Sequence, residues 1–275
     1  MNARTRRYAK YFVMGLAVAL LTTIAAQRKN PKGHPRDFAE IQASGVLRAT
    51  VEYNSLSYYT DGDSLSGFHY ELLKAFAQSK NLQIKIIPLM SFDERLSGLA
   101  NGDFDIIAYN LLTTSDLKDT IALTLPLMRN KQVLVQRKKE ISDSTYISSQ
   151  LELAHHTLNV VKGSPAALRI HNLSNEIGDT IYIHEVERYG QEQLMAMVAH
   201  GDIDYAVCDE YLAKTALGSL PQLDIDTDIS FTQFYAWGVS KQSPALLDTL
   251  NVWIRTYTQG SDYQQLYKKY YREVL

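Results

Sequence analysis

Acid–base chemistry needs two titratable groups that converge on one point, and this 275-residue chain offers few such pairs. Asp209 and Glu210 follow the apolar run Tyr205-Ala206-Val207-Cys208. They are the one close carboxylate pair at the end of a strand-like segment, but neighbouring side chains on a regular element point apart. His155-His156 meets the same objection as a metal site, and no third ligand stands at suitable spacing. A polar loop is expected there, and no metal or cofactor. Gly163-Ser164-Pro165-Ala166 lacks the G-x-S-x-G frame of a nucleophile elbow. P-loop, dinucleotide and H-E-x-x-H patterns are absent from the sequence. Cys208 is the single cysteine, so an internal disulfide is impossible, and its apolar neighbours mark it as a small buried hydrophobe. What remains is binding chemistry. A carboxylate at a strand end can hold an ammonium group, and a helix N-terminus after Gly163-Ser164 can hold an anion.

The elements that would position these groups follow from periodicity. Val46 to Tyr53 is expected to be a strand, His69 to Ser79 a helix with Leu72, Leu73 and Phe76 on one face, and Leu82 to Leu89 a strand. Ser91 caps a helix to Asn101, and Asp105 to Tyr109 is a short buried strand. After the strand that starts at Gln132, a second series repeats the order. Thr157 to Val161 is a strand, Pro165 to Ile170 a helix, and Thr180 to His184 a strand. Gly190 to His200 is a helix and Ile203 to Val207 a strand. Alternating β-α-β-α-β implies parallel strands with crossover helices. The two series share a signature. Leu99-Ala100-Asn101-Gly102-Asp103-Phe104-Asp105 recurs as Val198-Ala199-His200-Gly201-Asp202-Ile203-Asp204. The fold expected is α/β, with two Rossmann-like lobes joined by two hinge strands near Gln132–Arg137 and Phe231–Val239. Lobe 1 takes residues 37–135 and 236–275, and lobe 2 takes residues 136–235. The tail from Leu246 to Tyr271 is helical and broken near Gly260. Its stripe of Tyr263, Leu266, Tyr267, Tyr270 and Tyr271 is expected to pack on the first lobe.

The first 40 residues have a different character. Arg4, Arg6, Arg7 and Lys10 precede an uncharged run from Tyr11 to Ala26, the pattern of an export signal or an N-terminal membrane anchor over residues 1–26. No cysteine follows to carry a lipid. Residues 27–36, with Pro31, Gly33 and Pro35, form a linker. The formal net charge of -2 and the lack of a sustained basic face argue against nucleic acid as a partner.

Several segments together resemble the type 3 extracytoplasmic solute-binding proteins. They are Ser44-Gly45-Val46-Leu47-Arg48-Ala49, Gly67-Phe68-His69-Tyr70-Glu71-Leu72 and Leu99-Ala100-Asn101-Gly102-Asp103-Phe104-Asp105. Leu56-Ser57-Tyr58 and the run Glu192 to Tyr205 resemble more closely the non-catalytic solute-binding-like domain of membrane-bound lytic transglycosylase F. The catalytic domain of those enzymes is not expected before Leu275, so enzymatic activity is not expected either. The resemblance implies a periplasmic-binding-protein-like fold and a periplasmic or membrane-anchored monomer. It implies a small polar ligand between the lobes: an amino acid, a peptide or a peptidoglycan fragment. It also implies which positions face that ligand: Tyr58, Tyr109, Asn110, Leu112, Thr114, Leu117, Gly163, Ser164 and Asp209. The family clamps the ligand carboxylate with an arginine, and here that position is Leu117; its helper serine is Leu112. Asp209 falls where the family places the carboxylate for the ligand ammonium. Partners implied are an ABC permease, if the chain is an importer's amino-acid receptor, or cell-wall enzymes, if it is a sensor or a ligand-free scaffold. A dehydratase-like enzyme on this fold is a further alternative.

Overall fold

The computed structural model describes residues 33–271. The expected signal or anchor and most of the expected linker lie outside them. Capping and periodicity shape the first half of the chain. α1 (Phe38–Ser44) starts on a reciprocal capping box between Asp37 and Glu40. β1 (Val46–Val51) follows at once. A hairpin of β2 (Tyr59–Asp61) and β3 (Ser64–Ser66) leads into α2 (Phe68–Ser79), whose Phe68, Leu72, Leu73 and Phe76 are buried. β4 (Gln83–Pro88) comes next, and Ser91 caps α3 (Phe92–Asn101) by accepting the Glu94 N–H. β5 (Ile106–Leu112) and the short α4 (Ser115–Thr120) are followed by β6 (Ala122–Leu123) and β7 (Met128–Asn130).

The second half opens with β8 (Gln132–Arg137) and β9 (Thr157–Val161). α5 (Pro165–Ile177) has proline in its first turn, where the missing N–H removes no helical bond. β10 (Tyr182–Val186), α6 (Gln191–His200) and β11 (Ala206–Asp209) complete the repeat. α7 (Glu210–Ala216), β12 (Leu223–Asp224) and β13 (Gln233–Val239) return the chain to the first half. α8 (Pro244–Tyr257) and α9 (Ser261–Tyr270) are the two pieces of the helical tail.

Two sheets result, with matching order. The first runs β4-β1-β5-β13-β6, and the second β10-β9-β11-β8-β12. In each, three parallel strands in the order 2-1-3 are flanked by one antiparallel strand. That fourth strand is exchanged. β8 follows the first lobe and pairs in the second sheet, while β13 follows the second lobe and pairs in the first. The chain therefore crosses twice, at Asn130–Gln132 and at Ser230–Gln233. Residues 132–135, expected with lobe 1, pair in the second sheet; Gln233 to Tyr235, expected with lobe 2, pair in the first.

The repeated sequence signature has one geometry in both lobes. α3 ends at Gly102 (φ 73°) and α6 at Gly201 (φ 84°), both left-handed. Asp103 N–H then bonds Gly98 O at 2.8 Å, and Asp202 N–H bonds Met197 O at 2.9 Å. Three residues past each glycine an aspartate meets arginine. Asp105, with its side chain fully buried, pairs with Arg36 and with Arg48 at 2.8 Å, and Asp204 pairs with Arg137. The tail packs as its tyrosine stripe predicts: the Phe68 ring lies 4.6–6.3 Å, centroid to centroid, from those of Tyr263, Tyr267, Tyr270 and Tyr271.

Candidate functional site

Ligands in sheets of this kind bind beyond the carboxyl ends of the parallel strands. Here the ends of β1, β5, β9 and β11 converge between the lobes. β1 runs out into Glu52 and Asn54, and β5 carries Tyr109 and Asn110 near its end. β9 leads to Gly163 and Ser164, and β11 ends on Asp209. β13 and β8 add Tyr235 and Gln132.

Asp209 is the centre of this arrangement. It occupies the N-cap position of α7 but makes no side-chain capping bond, and it is only 7% exposed. The Tyr235 hydroxyl lies 3.4 Å from Oδ1, within reach to donate. The Asp209 N–H donates to Gln191 Oε1 at 2.6 Å, so a residue at the start of α6 holds the end of β11. Burial pushes the carboxyl up to about 6. Hydrogen bonds from Gln191, Asn110 and Tyr235 counteract this, and the charge of Glu52 adds to it.

A donor chain sets the orientation of Asn110. Trp237 Nε1 donates to His69 Nδ1 at 2.9 Å, which leaves the proton on His69 Nε2. That nitrogen lies 2.9 Å from Asn110 Oδ1 and donates to it, so the Asn110 NH2 group is the end left to face Asp209. Burial lowers His69 to about 4, which keeps it neutral and this tautomer in place at neutral pH.

Tyr109 forms the other wall. The Arg95 guanidinium carbon lies 4.4 Å from its ring centroid, and Gln191 Nε2 donates to its hydroxyl at 3.3 Å from the opposite lobe. Arg95 is itself buried. It pairs with Glu52 at 2.7 Å and donates to the carbonyls of Leu89 and Met90. Burial, then the charges of Glu52 and Asp209, raise the Tyr109 phenol well above its usual range; Tyr235 is raised by burial and then by Asp209. Both remain neutral hydroxyls.

The lobes are closed on each other. Ser55 N–H donates to Glu192 Oε1 at 2.9 Å across the gap. Two small cavities remain between the lobes, each about 10 Å³, which is room for about one water. Tyr109, Asn110, Gln191 and Asp209 line both. Three buried polar atoms in their walls have no hydrogen-bond partner among the described residues: Gln132 Oε1, Asn130 Nδ2 and Ser164 Oγ.

The sequence profile of the bacterial extracellular solute-binding proteins, family 3, matches residues 47–273. The chain belongs to this family. Similar curated proteins are the membrane-bound lytic murein transglycosylases F of Photobacterium profundum (25% identity over 274 residues, 99% of this chain) and Yersinia pestis (27% over 236 residues, 85% of this chain). The chain spans about half the length of these relatives, 52% and 47%. Similar solved structures include a mutant of the arginine-binding protein ArgBP from T. maritima (TM-score 0.74, 22% identity, 86% of this chain and 99% of that one). An ancestral arginine-binding protein bound to arginine is also similar (TM-score 0.72, 21% identity, 82% and 98%). These likenesses show the periplasmic-binding-protein-like fold.

The positions that the solute-binding family resemblance marked divide into two groups. Tyr109, Asn110, Ser164 and Asp209 meet at the cavities. Leu112 and Leu117 are buried in apolar clusters, Leu112 in one that runs through both lobes and Leu117 in the first-lobe cluster that also holds Tyr109. Thr114 caps α4 by accepting the Leu117 N–H at 3.4 Å. Tyr58 stands beside the hairpin, its ring against those of Tyr53 and Tyr70. Gly163 lies against Phe92 of the opposite lobe, where a Cβ would sit 3.3 Å from that side chain. His155 is exposed and lies 3.4 Å from Asp179, and the His156 ring packs edge-on against Tyr205. Glu52, Arg95, Gln132, Gln191 and Tyr235 were not foreseen. An arginine four residues before Leu99, on the core face of a helix, was the one signal in the sequence that pointed to a buried ion pair.

Proposed function

We propose that the chain is an extracytoplasmic binding module that takes one small polar ligand between its lobes and acts by binding rather than catalysis. One observation carries this reading: a buried carboxyl, Asp209, stands where both lobes meet, beside polar atoms that lack partners. A buried acid raised to about 6 is a costly arrangement that a ligand ammonium would relieve. Because Gln191 and Glu192 reach from one lobe to Tyr109 and Ser55 of the other, a guest between them would bias an opening and closing motion about the two crossings. An amino acid, a peptide or a peptidoglycan fragment fits this chemistry, the last by analogy with the transglycosylase F relatives. Residues 1–26 would export or anchor the chain in the periplasm. Its output would go to an ABC permease or to cell-wall enzymes.

Titration calorimetry with free amino acids, short peptides and muropeptides tests the reading. Saturable binding that Asp209→Ala abolishes is expected; a wild-type protein that binds none of them contradicts it. The small size of the cavities and their tyrosine walls favour one second reading, a regulatory scaffold that keeps its lobes shut without a ligand. That reading predicts silence in the same titration.

A further inference from the structure

The charge of the cavity walls constrains the ligand more tightly than their shape does. Among the described residues, Asp209 is the one charged side chain lining either cavity, and no cation lines them. Among the described residues, three basic groups near the site, Arg95, Lys162 and Lys131, are engaged with acid. Arg95 is held by Glu52 and by backbone carbonyls behind the Tyr109 ring. Lys162 pairs with Glu187 at 2.6 Å, and Lys131 pairs with Asp228 at 2.6 Å and with Glu210. Leu117, where the family resemblance would place a guanidinium, is buried in the apolar cluster that also holds Tyr109.

A zwitterion enclosed here would satisfy its ammonium on Asp209 and leave its carboxylate without a countercharge. A buried unpaired charge costs far more than a buried neutral oxygen. The neutral groups at the far wall suit such an oxygen. Ser164 Oγ is unpartnered, and α5 presents its first turn there through Pro165 and Ala166. Pro165 offers no N–H, which leaves the partial positive charge of that helix end short of one donor. Gln132 Oε1, also unpartnered and 4% exposed, accepts a hydrogen bond and so suits an amide N–H.

We propose that the cleft selects an amine whose neighbouring carboxyl is masked as an amide, as in an amino-acid amide or the N-terminal residue of a peptide, and rejects the free α-amino acid. This rests on the reading that a solute binds between the lobes. The cavities of this closed form hold about one water each, so the lobes must part to admit the ligand. Its ammonium then pairs with Asp209, the amide oxygen meets Ser164 and the start of α5, and the amide N–H meets Gln132.

The test is calorimetry at pH 7.5 with matched probes: each of the common L-amino acids and D-alanine against its primary amide, and alanyl-alaninamide against its N-acetyl form. The amide is expected to bind more tightly than its acid by roughly a hundredfold. N-acetylation is expected to abolish binding of alanyl-alaninamide, and Asp209→Asn to abolish amide binding while the variant still melts cooperatively. An acid that binds as tightly as its amide overturns the proposal and leaves the binding module standing. So does an N-acetyl form that binds as well as the free amine, or an Asp209→Asn protein that binds undiminished. Failure of the wild type to bind any acid, amide or peptide overturns both.

Discussion

Two buried acids govern the site at the residue scale, and each makes a separate demand. Asp209 has a carboxyl raised to about 6 from 3.8 by burial. In the folded state it holds its proton where the unfolded chain has lost it, so it favours folding below pH 4. That contribution disappears as pH rises through about 6. At neutral pH the ionised group is a liability, and Asp209→Asn should raise the stability of the free protein by about 1–3 kcal/mol at pH 7. Little difference should remain at pH 4. Denaturant melts at the two pH values measure this, and an Asn variant less stable than wild type at pH 7 contradicts it. Glu52 makes the opposite demand. Its partner Arg95 has a side chain 2% exposed, so Arg95→Ala strands a buried carboxylate and should cost about 3–5 kcal/mol. Adding Glu52→Gln to that variant should recover part of the loss, which a double-mutant cycle reads directly.

Elements carry the site through their ends. The left-handed glycines that close α3 and α6 turn the chain into β5 and β11, the strands that deliver Tyr109 and Asp209. Gly201 has open space around it, with the nearest side-chain atom, Arg137 Nη1, 3.7 Å from an added Cβ. Gly201→Ala should therefore cost only the backbone strain, about 1 kcal/mol, visible as a lower melting midpoint with ligand affinity unchanged. These helix ends, the alternation of strands and helices along the chain and the tail helices were legible in the sequence because periodicity, capping and glycine positions are local signals. Of the nine positions that the family resemblance marked, Tyr109, Asn110, Ser164 and Asp209 lie at or just past strand ends that the periodicity also located. Leu112 ends β5 and Leu117 lies in α4 just beyond it, and both are buried in apolar clusters rather than lining the cavities. Gln191 and Tyr235 could not be found this way. Gln191 opens a helix like any polar first-turn residue, and Tyr235 lies in a strand whose partner, β5, is more than a hundred residues away. Glu52 merged into an expected strand from Val46 to Tyr53, although β1 ends at Val51 and frees it to turn toward Arg95.

At the scale of the whole molecule, the two sheets exchange their fourth strands, so the lobes are joined by two short crossings. Opening would break interlobe bonds, among them Ser55 with Glu192, Gln191 with Tyr109 and Tyr235 with Asp209. The central claim is that a solute occupies the space between the lobes and holds them together. Spin labels on cysteines placed at the exposed positions Ser97 and Glu187, one in each lobe, report the separation directly; the native Cys208 is buried and does not compete. Pulsed electron–electron distance measurement on this double-labelled protein should show a saturating amine or peptide ligand shifting the population to one short, narrow distance, and no shift when Asp209 is replaced by Asn. A distance distribution that stays the same at saturation would contradict the account.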